Sequence, residues 1–72
     1  MSSLSIVVPD VAAAVSLAAR LARAGADVRI EPARAHLWRV WGKSSATAAT
    51  TRALVSDWAH REQIFCTSLT LA

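Results

Sequence analysis

The apolar positions near the start of the chain change from a strand-like to a helix-like spacing. Residues 4–8 (LSIVV) are rich in β-branched side chains and are followed by Pro9, which is typical of a short strand. From 11 to 24, apolar residues recur every three or four positions, which predicts an amphipathic helix. Asp10 can cap this helix, and Gly25 stands where a left-handed C-terminal cap is expected. The predicted inward stripe is Val11, Ala14, Leu17, Ala18 and Leu21.

A second strand is predicted over residues 27–31 (DVRIE), where apolar and charged side chains alternate. Val28 and Ile30 are expected to face the core, with Arg29 and Glu31 on the opposite side. Pro32 ends the strand because proline has no N–H for a strand ladder.

The alternation resumes over residues 36–41 (HLWRVW), which predicts a third strand. If Arg39 lies on the outer face, Trp38 and Val40 point inward, because successive side chains of a strand face opposite ways. The side chains that share the outer face are then Leu37, Arg39 and Trp41.

A second helix is expected after Gly42, capped by a serine at position 44 or 45 and extending to about Arg61. Its predicted inward stripe is Ala48, Thr51, Leu54, Val55 and Trp58. Asp57 and Arg61 are four residues apart, so we expect an exposed ion pair worth about 0.3 to 0.5 kcal/mol.

Residues 64–71 (IFCTSLTL) predict a fourth strand, with Phe65 and Leu69 inward and Cys66 and Ser68 outward. The predicted order is then strand, helix, strand, strand, helix, strand. Two right-handed crossovers onto one sheet make this a two-layer α+β sandwich of the ferredoxin-like βαββαβ kind. We therefore predict a single domain over 1–72, with a four-stranded antiparallel sheet and both helices on one face.

The size of the chain favours self-association. A chain of 72 residues buries only about 60% of the surface that its unfolded form exposes, so its stability alone is marginal. The single cysteine excludes an internal disulfide and leaves too few soft ligands for a zinc site. A homodimer is the remaining stabilising device, and no metal or cofactor is expected.

Charge and hydropathy indicate a cytoplasmic protein. The formal charge is +3, but the basic residues are scattered, which is typical of a solvated surface rather than a nucleic-acid-binding tail. No basic segment precedes an apolar one at the start, and no apolar run approaches 18 residues, so neither export nor a membrane partner is expected. A single free thiol agrees with a reducing compartment.

Gly42, Lys43 and Ser44 match the second half of a phosphate-binding loop, GxxxxGK followed by Ser or Thr. Leu37 occupies the place of the first glycine, and residues 38–41 have the pattern of a strand. We therefore interpret Gly42 as a sharp turn from strand into helix.

The sequence contains candidate catalytic groups, but their predicted positions do not converge. His36, His60, Asp57 and Cys66 are the residue types that supply a nucleophile, a base and an orienting group. His36 begins a strand, whereas His60 and Asp57 lie on the solvent side of a helix. We therefore predict that the protein is not an enzyme.

The outer face of the predicted sheet is the candidate functional surface, because no helix covers it. Its predicted members are Val7, Arg29, Leu37, Arg39, Trp41, Cys66 and Ser68. Such a face either packs against a second copy or binds a flat or extended ligand, here a small molecule or a peptide. The predicted interface or ligand-binding residues are Arg29, Leu37, Arg39 and Trp41. The alternative is a single-stranded nucleic acid or a glycan, stacked on Trp41 and held by Arg29, Arg39 and Lys43.

Residues 7–33 (VVPDVAAAVSLAARLARAGADVRIEPA) resemble the front half of an ACT domain, in which a strand, an Asp, a helix and a Gly-Ala-Asp turn lead into the second strand. The resemblance implies a ferredoxin-like regulatory module that pairs into dimers and often binds amino acids at the pairing interface. The family usually has a glycine shortly after the Asp, whereas residues 11–13 here are Val, Ala and Ala.

Residues 18–30 and 37–42 (LWRVWG) are similar to the helix-Gly-strand and WYRVRVG segments of SPOR domains. The matching residues are Trp38, Arg39, Val40 and Gly42, with the spacing from Arg39 to the glycine one residue short. This resemblance implies binding of peptidoglycan strands on the open sheet face. The opening aromatic and Gln pattern of that family is absent, and we favour the ACT-like interpretation.

Overall fold

The computed structural model describes the backbone of residues 2–64 and 68–71, and the side chains within 3–64. The elements are β1 (Ser2–Val8), α1 (Val11–Arg23), β2 (Asp27–Pro32), β3 (Trp38–Ser44), α2 (Ala48–Glu62) and β4 (Ser68–Leu71). The predicted α+β class with two helices is confirmed.

The sheet corrects the predicted fold. Instead of four complete strands, three antiparallel strands in the order β1-β3-β2, of six or seven residues each, form the sheet. The strand predicted over 64–71 is reduced to the four residues of β4, which pair with β1 at its free side. The predicted Phe65 and Cys66 positions lie outside the described residues. A ferredoxin-like sandwich with four full strands is therefore wrong for this chain.

Local sequence explains how α1 begins and ends. The Asp10 side chain accepts a hydrogen bond from the Ala13 N–H at 2.8 Å, as expected of an N-cap. At the other end, Gly25 has a φ of +91° and donates to the Ala22 carbonyl at 3.0 Å. The predicted cap residues are therefore confirmed at both ends.

The core forms one cluster between the sheet and the helices. Its buried members are Leu4, Ile6, Val8, Ala13, Ala14, Leu17, Leu21, Val40, Val55 and Trp58. Residues of both helices and of the inward face of β1 and β3 belong to this one cluster, so the helices pack on the same side of the sheet. Trp41 is on the other side.

Two residues predicted to face the core are exposed. Val11 is 46% exposed, because the buried arc of α1 is rotated towards Ala13. Ile30 does lie on the helix side, since it pairs with the fully buried Val40, but it is 37% exposed. β2 is at the edge of the sheet, where a side chain has neighbours on one flank only.

The start of α2 also differs from the prediction. Thr47, not Ser44 or Ser45, caps the helix, and its side chain accepts from the Thr50 N–H at 3.2 Å. Ser44 is buried at the end of β3, where its Oγ accepts from the Ala46 N–H at 3.1 Å. The helix begins later because β3 continues through Gly42 to Ser44 instead of turning at the glycine.

A polar chain joins the two helices. Trp58 Nε1 donates to Ser16 Oγ at 3.0 Å, and Ser16 Oγ donates in turn to Glu62 Oε1 at 3.0 Å. The predicted ion pair is present, with Arg61 Nε 3.2 Å from Asp57 Oδ2. The same oxygen lies 3.1 Å from Arg20 Nη2 of α1, so this carboxylate also bridges the helices.

Candidate binding site on the open sheet face

The pairing of the strands defines which side chains share the open face. Trp41 in β3 lies between Ser5 of β1 and Arg29 of β2. Directly opposite residues of an antiparallel pair share one face, with Cβ atoms about 4.5 to 5.5 Å apart. The other two cross-strand rows of this face are Val7, Arg39 and Glu31, and Ser3, Lys43 and Asp27.

Trp41 is the large apolar group at the centre of this face. It is 40% exposed, whereas its neighbour Val40 is fully buried on the other side of the same strand. The alternation of strand side chains therefore places the indole outward, as predicted. Arg29 and Ser5 lie on either side of it, so a flat ligand can approach one face of the ring beside a cation and a hydroxyl.

Arg39 is neutralised within the face. Its Nη1 lies 3.0 Å from Glu31 Oε1, and both side chains are a little under half exposed. An exposed pair of this kind contributes about 0.2 to 1 kcal/mol to stability. Arg39 therefore joins the site as part of an ion pair rather than as a free cation.

Two other cations of the face have no such partner. Arg29 and Lys43 take part in none of the ion pairs found among residues 3–64. Lys43 is opposite Asp27 in the strand register, but the ion pairs found among the described side chains do not include this pair. The positive charge available to a ligand thus comes from Arg29 and Lys43, on two sides of Trp41.

A shallow depression of about 440 Å³ lies on this face. Its lining residues are Ser3, Leu4, Ser5, Glu31, Arg39, Trp41, Gly42 and Lys43. The depression runs across β1, β3 and β2, and its walls combine the indole with hydroxyl and charged groups. Its shallow shape suits a flat ligand that lies against the indole.

Leu37 does not join the other predicted site residues. It lies before β3 in a turn, where its N–H donates to the Arg34 carbonyl at 3.2 Å and its carbonyl accepts from the Ala33 N–H at 2.9 Å. It is half-buried there. The strand alternation that placed it outward does not extend back to residue 37.

The other chemical groups named from the sequence remain apart. His36 is exposed in the turn before β3, His60 is exposed on α2, and Asp57 is held by two arginines. Cys66 lies outside the described residues. Among the residues that the structure describes, no group of three or more His, Cys, Asp or Glu side chains is placed to hold a metal ion.

The Gly-Lys-Ser segment is not a phosphate loop. Gly42, Lys43 and Ser44 are the last three residues of β3, and their backbone pairs with β1. Extended backbone in a sheet cannot wrap a phosphate. The interpretation of Gly42 as a turn was also wrong, because its role is to let two strands approach closely.

Sequence reasoning missed Glu31 and the serines as parts of the site. Glu31 was placed outward beside Arg29 but was not included in the site, and Ser3 and Ser5 were not assigned at all. The signal that finds them is the pairing register, which places them opposite Arg39, Lys43 and Trp41. Such a register depends on contacts between distant segments, so no local pattern shows it.

No model of a known protein family matches the chain, and no curated protein is similar to it in sequence. The ACT-like and SPOR-like resemblances therefore gain no support from these comparisons. Neither of the described helices has the length and apolar composition needed to cross a membrane.

Proposed function

We propose that this chain is a small, non-enzymatic binding module that holds a ligand with a flat ring and a negative charge on its open sheet face. The observation that carries the proposal is the exposed indole of Trp41, set between Arg29 and Ser5 in the middle of the sheet. A nucleotide within a single strand has both features, since its base stacks and its phosphate is anionic.

The charges of the face support an anionic ligand. Once Arg39 and Glu31 are paired, the remaining charged side chains of the three rows are Arg29, Lys43 and Asp27, which leaves one net positive charge. Stacking on an aromatic side chain is worth about 1 to 3 kcal/mol per base, more than any one of these exposed charges. We therefore assign most of the affinity to Trp41 and its salt dependence to Arg29 and Lys43.

Self-association through this face is the weaker candidate. Among the side chains of this face that the structure describes, Trp41 is the exposed large hydrophobic one, and its neighbours are mostly charged or hydroxyl groups. Charged residues are depleted from the centres of protein interfaces. A flat ligand needs only the indole and its immediate neighbours. We propose a regulatory role in the cytoplasm, in keeping with the single thiol and the absence of a catalytic constellation in the predicted elements.

A fluorescence titration with oligothymidylate of about eight nucleotides tests the proposal, because such a strand covers one small sheet. We expect quenching of tryptophan emission, with an affinity that falls as salt rises. Two neutralised phosphates give a slope of log K against log salt of about −1.4. Trp41→Ala should weaken binding about 5- to 150-fold.

The controls separate the face from the rest of the protein. Lys43→Ala and Arg29→Ala should each flatten the salt slope by about 0.7. Arg52→Ala removes a cation from the exposed side of α2 and should leave the affinity unchanged. Quenching that survives Trp41→Ala unaltered, or an affinity insensitive to salt, would contradict the proposal. Equal competition by an uncharged oligosaccharide would instead assign the face to a glycan.

A further inference from the structure

Most of the exposed large hydrophobic side chains of the described region lie on α1 and β2, two elements that pack against each other. Of its four exposed large hydrophobic residues, Trp41 belongs to the open face. The other three are Val11 (46% exposed) and Val15 (53%) of α1, and Ile30 (37%) of β2. On a helix, residues four apart share one face, so the two valines form a continuous strip along α1. α1 packs against β2, on the side of the sheet that Ile30 faces.

β2 itself is an edge strand. It pairs with β3 on one side and is the last strand of the sheet in that direction. The backbone groups on its other side have no strand partner in the described sheet. Such an edge is a template for pairing with another chain. Pro32 has no N–H and limits any added ladder to the residues before it.

The sequence of β2 is complementary to itself in one antiparallel register. If Ile30 lies on a two-fold axis opposite Ile30 of a second copy, Arg29 of each copy lies opposite Glu31 of the other. The two isoleucines then meet on the helix side, and two opposite-charge pairs form on the open side. Opposite charges directly across an antiparallel pair are stabilising, whereas like charges are destabilising.

The neighbouring registers lack this complementarity. An axis at Arg29 would place two arginines opposite each other and Asp27 opposite Glu31. An axis at Glu31 would place two glutamates opposite each other. An axis at Val28 would pair Asp27 with Arg29, but it would leave Ile30 beyond the paired segment. Registers centred between residues would place inward side chains opposite outward ones.

We propose that two copies of this chain pair through β2 in the register centred on Ile30, which makes one continuous sheet with all helices on one side. The pairing brings the Val11 and Val15 strips of the two α1 helices towards each other and removes Ile30 from water. Dimerisation buries additional apolar surface, which stabilises a chain whose own core is small. The interface shares Arg29 and Glu31 with the rim of the open face, where Glu31 is also paired with Arg39, but it does not rest on ligand binding.

Sedimentation velocity from about 10 µM to about 1 mM protein measures the association. We expect a monomer–dimer equilibrium in this range for the wild type. Ile30→Lys places two ammonium groups at the axis and should raise the dimer Kd at least about tenfold. Because Ile30 is partly exposed, this variant should fold, and its far-ultraviolet circular dichroism should match the wild type.

A charge exchange tests the register. Arg29→Glu places carboxylates opposite Glu31 of the other copy, and Glu31→Arg places guanidinium groups opposite Arg29. Each variant alone should be monomeric where the wild type is dimeric. An equimolar mixture of the two should form a heterodimer, because both cross-strand pairs are then of opposite charge. Arg52→Glu, which makes the same charge change on α2, should dimerise as the wild type does.

Two results would overturn the proposal: a wild type that remains monomeric up to about 1 mM, and a dimer that Ile30→Lys does not weaken. Loss of the dimer in Trp41→Ala but not in Ile30→Lys would move the interface to the open face. A failure of oligothymidylate binding would leave the edge proposal untouched, since the association is measured by sedimentation and not by ligand affinity.

Discussion

Gly42 shows how one missing side chain sets the geometry of the sheet. Its φ is +152°, and a Cβ atom at this position would lie 2.1 Å from the Asp27 carbonyl oxygen and 2.8 Å from the Val28 Cα. Both are backbone atoms of β2, which cannot move without breaking the pairing with β3. The glycine therefore allows β2 to lie close beside the strand that carries Trp41.

Gly42→Ala is expected to lower the free energy of unfolding by about 3 kcal/mol or more, since backbone strain and steric overlap add. Gly25→Ala is the matched control: its φ of +91° is also unfavourable for alanine, but the nearest atom to a new Cβ is 3.6 Å away. It should lose only about 1 to 2 kcal/mol. Urea denaturation followed by circular dichroism measures both. An equal loss in the two variants would contradict the steric explanation.

At the scale of elements, the helices are held together by polar contacts as well as by the core. Trp58 is 3% exposed, and its Nε1 donates to Ser16 Oγ, which is itself bonded to Glu62. The indole therefore combines a large buried surface with a satisfied N–H. Replacing Ser16 by alanine would leave the Trp58 N–H facing a methyl group instead of a hydroxyl acceptor.

Ser16→Ala is expected to destabilise the protein by about 1 kcal/mol, because the loss of a partner for a part-buried N–H outweighs the better helix propensity of alanine. Ser56→Ala, on the exposed side of α2, should instead be neutral or slightly stabilising. Thermal unfolding of the three proteins compares them. If Ser16→Ala is as stable as Ser56→Ala, the link between the helices does not contribute.

Local periodicity was sufficient to predict the two helices and the outward positions of Arg39 and Trp41. It failed where a choice depends on distant partners. Three hydroxyl residues, at 44, 45 and 47, can each cap α2, and only the length of β3 along β1 selects Thr47. The exposure of Ile30 depends on which strand lies at the edge, and the ion pair of Arg39 depends on the register with β2. A local sequence pattern predicts neither the exposure of Ile30 nor the ion pair of Arg39.

At the scale of the whole molecule, the helix layer leaves two surfaces with different character. The open face combines one exposed indole with charged groups, whereas the α1 and β2 edge is apolar on the helix side. A dimer formed through the edge would place two open faces side by side. The two Trp41 positions would then lie on strands about 14 Å apart, three strand spacings, on the same side of one sheet.

If the folded state dimerises and the unfolded state does not, the melting temperature of the wild type must depend on protein concentration. Above the dimer Kd, each tenfold increase in concentration should raise it by about 3 to 5 °C for a domain of this size. Ile30→Lys should melt at one temperature throughout the same range. Scanning calorimetry at several concentrations makes the comparison. A concentration-independent wild type in that range would contradict native-state association.

The position of β3 between β1 and β2 has a consequence for how the chain folds while it is being synthesised. The first two strands synthesised pair with β3 and not with each other. A ribosome-bound segment ending before residue 38 therefore has no strand partner for either, and only α1 can form early. The apolar side of β1 stays open to chaperones until the third strand leaves the exit tunnel.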